Sequence, residues 1–68
     1  MPDNYEYAIT LLRINVALFP DSANTWDSMA YAYHQTGELD KAIEYNREAL
    51  KRDPEFASAK AALAELTE

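Results

Sequence analysis

Residues 23–56 read ANTWDSMAYAYHQTGELDKAIEYNREALKRDPEF, and the fold is decided here. Trp26, Met29, Ala30 and Tyr33 recur at spacings of three and four, which places them on one stripe of a helix. Gly37 stands where that stripe stops. It takes the left-handed conformation that ends a helix without strain. The apolar pattern restarts at Leu39 and continues through Ala42, Ile43, Ala49 and Leu50. Glu38 and Asp40 lie at its start and Lys51 and Arg52 at its end, as a helix dipole favours. The stretch is therefore two helices joined at Gly37, with Asp53 and Pro54 beyond them.

The same pattern extends outward. Pro20 and Pro54 lie 34 residues apart, a spacing that calls for a search for repeats. Sliding the chain by that period places Ala8 on Ala42, Ile9 on Ile43, Arg13 on Arg47 and Ala23 on Ala57, with Val16 on Leu50. A first helix is thus expected over about residues 3–18, with Tyr5, Ala8, Ile9, Leu12 and Val16 on its apolar side. Pro20 stops it, because the residue before a proline is pushed out of the helical region. Asp21 or Ser22 is the expected cap of the second helix, which runs to Thr36. Asp53 and Pro54 read as an N-cap and a first helical residue, opening a fourth helix that runs to about Leu66. Linkers this short make neighbouring helices pack antiparallel.

Composition agrees with an all-α chain. One glycine and three prolines leave few turns, and 68 residues allow one domain. A net charge of −6, with no Lys/Arg cluster, repels polyanions, so neither nucleic acid nor an anionic membrane is an expected partner. No apolar run approaches the roughly 18 residues that span a bilayer. The absence of cysteine excludes disulfides and fits the cytoplasm, though it leaves the periplasm or secretion open if the chain is a piece of a longer protein. The start, MPDNYEY, lacks the basic and apolar segments of a secretory signal.

Trp26, Met29, Ala30, Tyr33, Gly37, Leu39, Ala42, Ile43, Ala49, Leu50 and Pro54 together resemble the tetratricopeptide repeat, whose pattern is W-x2-L-G-x2-Y followed by G, A, an aromatic, A and P. The resemblance implies an array of about four helices in antiparallel hairpins with a right-handed superhelical course. Residues 3–22 would be a half repeat, 23–56 a full repeat and 57–68 a capping helix. It gives the small Ala30, Ala42 and Ala49 the role of letting helices approach, while Trp26 and Tyr33 fill the space between them and Leu39 seals the turn. The sequence departs from the pattern at three places. Ala30 replaces a glycine, Asn46 stands in the aromatic slot beside Tyr45, and Asn15 stands in an alanine slot. A narrower likeness, in INVALFPDSANTWDSMAYAY, is to the C-terminal repeat tails of bacterial serine hydrolases of the beta-lactamase or esterase type. It offers a second reading, an accessory or oligomerisation segment of such an enzyme.

Asp27, Ser28 and His34 are the residue types of a hydrolytic triad, but Ser28 and His34 lie roughly 120° apart and nearly two turns along one helix. No glycine-rich oxyanion turn accompanies Ser28. One histidine and scattered carboxylates do not make a zinc site, and no phosphate-binding loop is present. No enzyme activity, metal or cofactor is expected.

In the family resembled, the first helix of each repeat lines a concave groove. Asn24, Asp27, Ser28, Tyr31, His34 and Gln35 are the corresponding residues, opposite the Trp26/Tyr33 stripe. They could meet a protein or peptide, or stay merely solvated. They do not offer the lysines, arginines and asparagines with which some repeats grip acidic chaperone tails. Lys41, Arg47, Lys51 and Arg52 read as solvated surface. Asn15 is expected to be buried and bonded to backbone or polar groups near the start of the second helix, with Asn24, Asp27 or Ser28 as candidates. Because the first helix lacks a preceding partner, some apolar surface among Tyr5, Ile9, Leu12, Ile14, Val16 and Phe19 is expected to be exposed, with Tyr5, Ile9, Leu12, Val16 and Phe19 as the assembly face. That face could dock on a parent domain, pair with a second copy as a homodimer, or be tolerated.

Overall fold

The computed structural model describes residues 5–67 as four helices: α1 (Tyr5–Leu18), α2 (Ala23–Thr36), α3 (Leu39–Arg52) and α4 (Ala57–Thr67). The sequence-predicted start of α1 near residue 3 falls outside the described residues. Each helix packs on the next in chain order. The assembly is a slab measuring 35 × 30 × 15 Å, so thin that every helix keeps a side towards solvent.

The 34-residue period is visible in the backbone. The Ser22 amide donates to the Phe19 carbonyl at 3.1 Å, and one period later Phe56 donates to Asp53 at 3.0 Å. Pro20 and Pro54 occupy the second position of these two turns, where a fixed φ suits them. Pro54 is thus a turn residue and not the first residue of α4. Asp53 closes the turn as well: its Oδ1 accepts from the Glu55 amide at 3.1 Å. That bond holds the chain out of the helix until Ala57. At the start of α2, Ser22 occupies the cap position, but its side chain makes no capping bond. The Thr25 hydroxyl does not cap either: it donates to the Ser22 and Phe19 carbonyls at 2.8 and 3.1 Å, tying the turn to the first turn of α2.

Gly37 has φ +86 and ψ 3, as the pattern required. Its amide donates to His34 O and the Glu38 amide donates to Tyr33 O, the paired bonds that close a helix through a left-handed residue. Leu39, by contrast, is 46% exposed and does not seal this turn.

The core is built from small residues. Ile9, Met29, Ala32, Tyr33 and Ala42 form one buried cluster, packed by Leu12, Val16, Tyr45 and Leu66. Ala23, Ala49 and Ala59 form another, with Trp26, Leu50 and Phe56 against it. Ala30 is 1% exposed, so its methyl has been accommodated where the repeat pattern wants glycine. Between α2 and α3 the Tyr45 ring stacks with both Trp26 and Tyr33, at centroid distances of 5.6 and 5.3 Å. Asn46 is buried, and its Oδ1 finds no hydrogen-bond partner among the described residues.

Two expectations about α1 are overturned. Ile9 is buried and Tyr5, Leu12 and Val16 are half-buried, so four of the five residues expected to be open instead belong to the inward side. Phe19, 58% exposed, stays open, as does Ile14 at 50%. The exposed apolar stripe is the opposite one: Tyr7, Leu11, Ile14 and Leu18. Asn15 lies on the outer side too. It is exposed, and its side chain bonds none of Asn24, Asp27 or Ser28, because α1 meets α2 through Ile9, Leu12 and Val16 and turns Asn15 to water.

Candidate protein-binding surface

The outer face of α2 carries the candidate residues. Trp26, Met29, Ala30 and Tyr33 turn inward, which leaves Asn24, Asp27, Ser28, Tyr31, His34 and Gln35 on the other arc. Asn24, Tyr31 and Gln35 are exposed, and Asp27, Ser28 and His34 are half-buried. Tyr31 is the largest of them and is 64% exposed at the middle of the helix. His34 sits in the last turn, beside the carbonyls that a cation would favour.

Asp27 also ties this face to α4, since the Ser58 hydroxyl donates to its Oδ2 at 3.0 Å. Sequence reasoning missed Ser58, although the period identifies it: shifted by 34, Asn24 falls on Ser58, Asp27 on Ala61, Ser28 on Ala62 and Tyr31 on Glu65. The corresponding arc of α4 is therefore small-sided. Tyr31 lies one turn along α2 from Asp27, which bonds Ser58 at the start of α4. Neither arc carries a lysine or arginine.

The other broad side of the slab is differently charged. A cleft of about 280 Å³ is lined by Glu6, Ile9, Thr10, Arg13, Tyr33, Glu38 and Lys41. There the Tyr33 hydroxyl accepts from Arg13 Nη2 at 3.2 Å, and Lys41 Nζ lies 5.2 Å from the Tyr33 ring centre. Glu38 pairs with Lys41 at 3.7 Å, so the cations of this cleft are offset by carboxylates. Arg52 is not a free surface cation. It stacks on Trp26 and donates to the Pro20 carbonyl, while its guanidinium pairs with Glu48. Among the described residues, no group of three or more His, Cys, Asp or Glu side chains converges on a metal-sized site. No helix among the described residues is long and apolar enough to cross a membrane.

Residues 23–56, from the start of α2 to the turn before α4, match the sequence profile of the tetratricopeptide repeat family. The chain belongs to this family. It is also similar to the Protein CTR9 homolog of Arabidopsis thaliana, with 41% identity over 49 residues. The match covers 72% of this chain but 4% of that relative, so it concerns a small part of a much longer protein. Tetratricopeptide repeats are in general protein–protein interaction modules and are typically non-catalytic. The family match and the CTR9 similarity lend no support to the reading as a serine hydrolase tail.

Proposed function

We propose that the chain binds a protein segment along the face of α2 and α4 centred on Tyr31, and that it performs no chemistry of its own. One observation carries this reading: a tyrosine 64% exposed in mid-helix, one turn from the Asp27 that bonds Ser58 of α4. A large rigid side chain costs little entropy on binding and commonly anchors an interface. The small residues of the α4 arc leave room for a ligand backbone.

Charge narrows the partner. Asp27 and Glu65 are the formal charges of the two arcs, and His34 supplies a cation only when protonated. An acidic tail would meet like charge, whereas a neutral or basic peptide would not. The Asp27–Ser58 bond supports the reading by fixing α2 against α4, which presents the face without an ordering cost at binding.

A peptide-display library of random sequences tests it. Selected peptides should be poor in Asp and Glu. Nuclear magnetic resonance titration should perturb the amides around Asn24, Tyr31 and Gln35. Tyr31→Ala should weaken the selected peptides about tenfold or more, the range of an interface anchor. Binding that maps to the Arg13/Lys41 cleft, or that is unaffected by Tyr31→Ala, would sink it.

A further inference from the structure

Helix α4 is held more lightly than the others. Ala59 is its one buried residue, and Ala62, Leu63 and Leu66 are half-buried. By comparison, α1 sets Ile9, Leu12 and Val16 into the core and adds the Arg13–Tyr33 hydrogen bond. Among the described residues, one hydrogen bond joins α4 to the rest of the molecule, Ser58 to Asp27, and it is exposed. Half of the inward side of α4 is alanine, which removes little apolar surface from water. Elements with few buried apolar contacts are the first to open locally.

What lies beneath α4 favours its release. Ala42, Asn46 and Ala49 form one stripe of α3, at spacings of four and three. Ala59 packs with Ala49, and Leu66 packs against the cluster that holds Ala42. Ala42 to Ala49 and Ala59 to Leu66 are each seven steps, or about 10 Å of helix. Helix α4 therefore runs antiparallel along this stripe and crosses over Asn46 on the way. Asn46 is 2% exposed, and its Oδ1 has no hydrogen-bond partner among the described residues. Docked, α4 keeps water from that oxygen; undocked, it lets the oxygen bond to water. The packing of α4 over two alanines is thus opposed by an unpaired acceptor.

We infer that α4 is a lid, which swings out as a unit about the turn at residues 53–56 while α1, α2 and α3 stay folded. The docked state is the more populated of the two. The turn serves as hinge because its own bonds are local: the Phe56 amide to the Asp53 carbonyl and the Glu55 amide to Asp53 Oδ1 both survive the motion. Asp27 and Ser58 are the latch. The lid also gates the peptide face, and in this respect it rests on the function proposed above. Closed, α4 supplies one side of that face; open, α2 stands alone. A peptide that holds both helices binds only the closed state and so draws the lid shut.

Native-state hydrogen exchange of the whole chain, read by nuclear magnetic resonance across low urea concentrations, tests the lid. The amides of Leu63, Ala64, Glu65 and Leu66 should share one opening. Its urea dependence should be weaker than that of the Ala30, Tyr33, Ala42 and Ala49 amides. Asn46→Leu should slow the α4 amides about fivefold or more, because opening then frees no unpaired acceptor. Should that variant fold poorly, Asp27→Cys with Ser58→Cys fastens the latch, cleanly because the chain has no cysteine. Oxidised, it should slow the α4 amides to the rates of α2 and α3; reduced, it should release them. Exchange of α4 only through global unfolding would overturn the lid. So would protection that falls off evenly towards residue 67, the mark of end fraying, or α4 exchange that Asn46→Leu and the oxidised latch leave unchanged. Opening is read on the chain alone, so it stands or falls apart from the peptide face. A display-selected peptide at about ten times its Kd should slow the same amides about tenfold. A peptide bound at Tyr31 that leaves them unchanged would overturn the gating.

Discussion

The Arg52 guanidinium lies 4.1 Å from the centre of the Trp26 ring, and both side chains donate to the Pro20 carbonyl, at 2.7 and 2.8 Å. Three elements meet in this arrangement: the α1–α2 turn, the first turn of α2 and the last turn of α3. Glu48 holds the guanidinium from behind, accepting from Arg52 Nη1. The contact joins residues 32 positions apart in the chain, so it restrains the repeat as a whole.

Arg52→Ala should therefore destabilise by about 1–2 kcal/mol, the combined scale of a partly exposed cation–π contact and one charged hydrogen bond. Arg52→Lys should recover only part of it, because an ammonium lacks the planar fork that stacks and bonds at once. Urea unfolding followed by fluorescence of the single tryptophan reads the change at the contact itself. Equal stability of Arg52→Ala and the parent would show that the stack contributes nothing.

Asn46 leads to an expectation of opposite sign. Its side chain is buried, and Oδ1 has no partner, which is a desolvation cost of about 1–3 kcal/mol. Asn46→Leu removes the orphan acceptor at similar volume. The melting temperature should rise, since one kcal/mol is worth roughly 4–8 °C in a domain of this size. A lower melting temperature would show that the amide is bonded in solution and that its polarity is needed.

Much of this fold could be read from spacing. The Trp26/Tyr33 stripe, Gly37 and the two prolines placed the helices, because apolar periodicity and left-handed glycine act locally. Which side of α1 would be buried could not be read the same way. The helix is apolar around much of its circumference, with Tyr7, Leu11, Ile14 and Leu18 on one side and Ile9, Leu12 and Val16 on the other. Only the docking of α2 and α3 decides between them. Asn15 was misplaced for the same reason: its alanine slot implied burial, but no element covers it. Arg52 was invisible as a structural residue because its partners, Pro20 and Trp26, are remote in the chain. In the candidate face, Tyr31 was legible by opposition to Tyr33. Ser58 needed the repeat period carried one step further into α4.

Gly37 separates backbone conformation from packing. A Cβ built there meets nothing within 4 Å, so space is not the constraint. The φ of +86 is. A left-handed conformation costs an ordinary residue about 1–2 kcal/mol, offset in part by the smaller entropy of an unfolded chain with one glycine fewer, worth about 0.4–1 kcal/mol. Gly37→Ala should thus cost roughly 1 kcal/mol net. Gly37→Asn should cost less, because asparagine tolerates this region. Paired urea titrations of both variants check the order; an alanine variant as stable as the asparagine one would refute it.

Tyr45 should set how the chain responds to alkali. Its burial against α2 raises the phenol above its ordinary value of 10.0, with Tyr33 beside it adding to the rise. The folded chain therefore holds the proton more tightly than the unfolded one. Stability is unaffected by this group below about pH 10, then declines as pH climbs through the raised folded value. Tyr45→Phe keeps the ring between Trp26 and Tyr33 but removes the titration. The difference between the two proteins reads the phenol of Tyr45 together with its coupling to Tyr33. Urea midpoints measured from pH 8 to pH 11 should diverge, with the phenylalanine variant losing less. Parallel curves across that window would mean that Tyr45 is not buried as the stack requires.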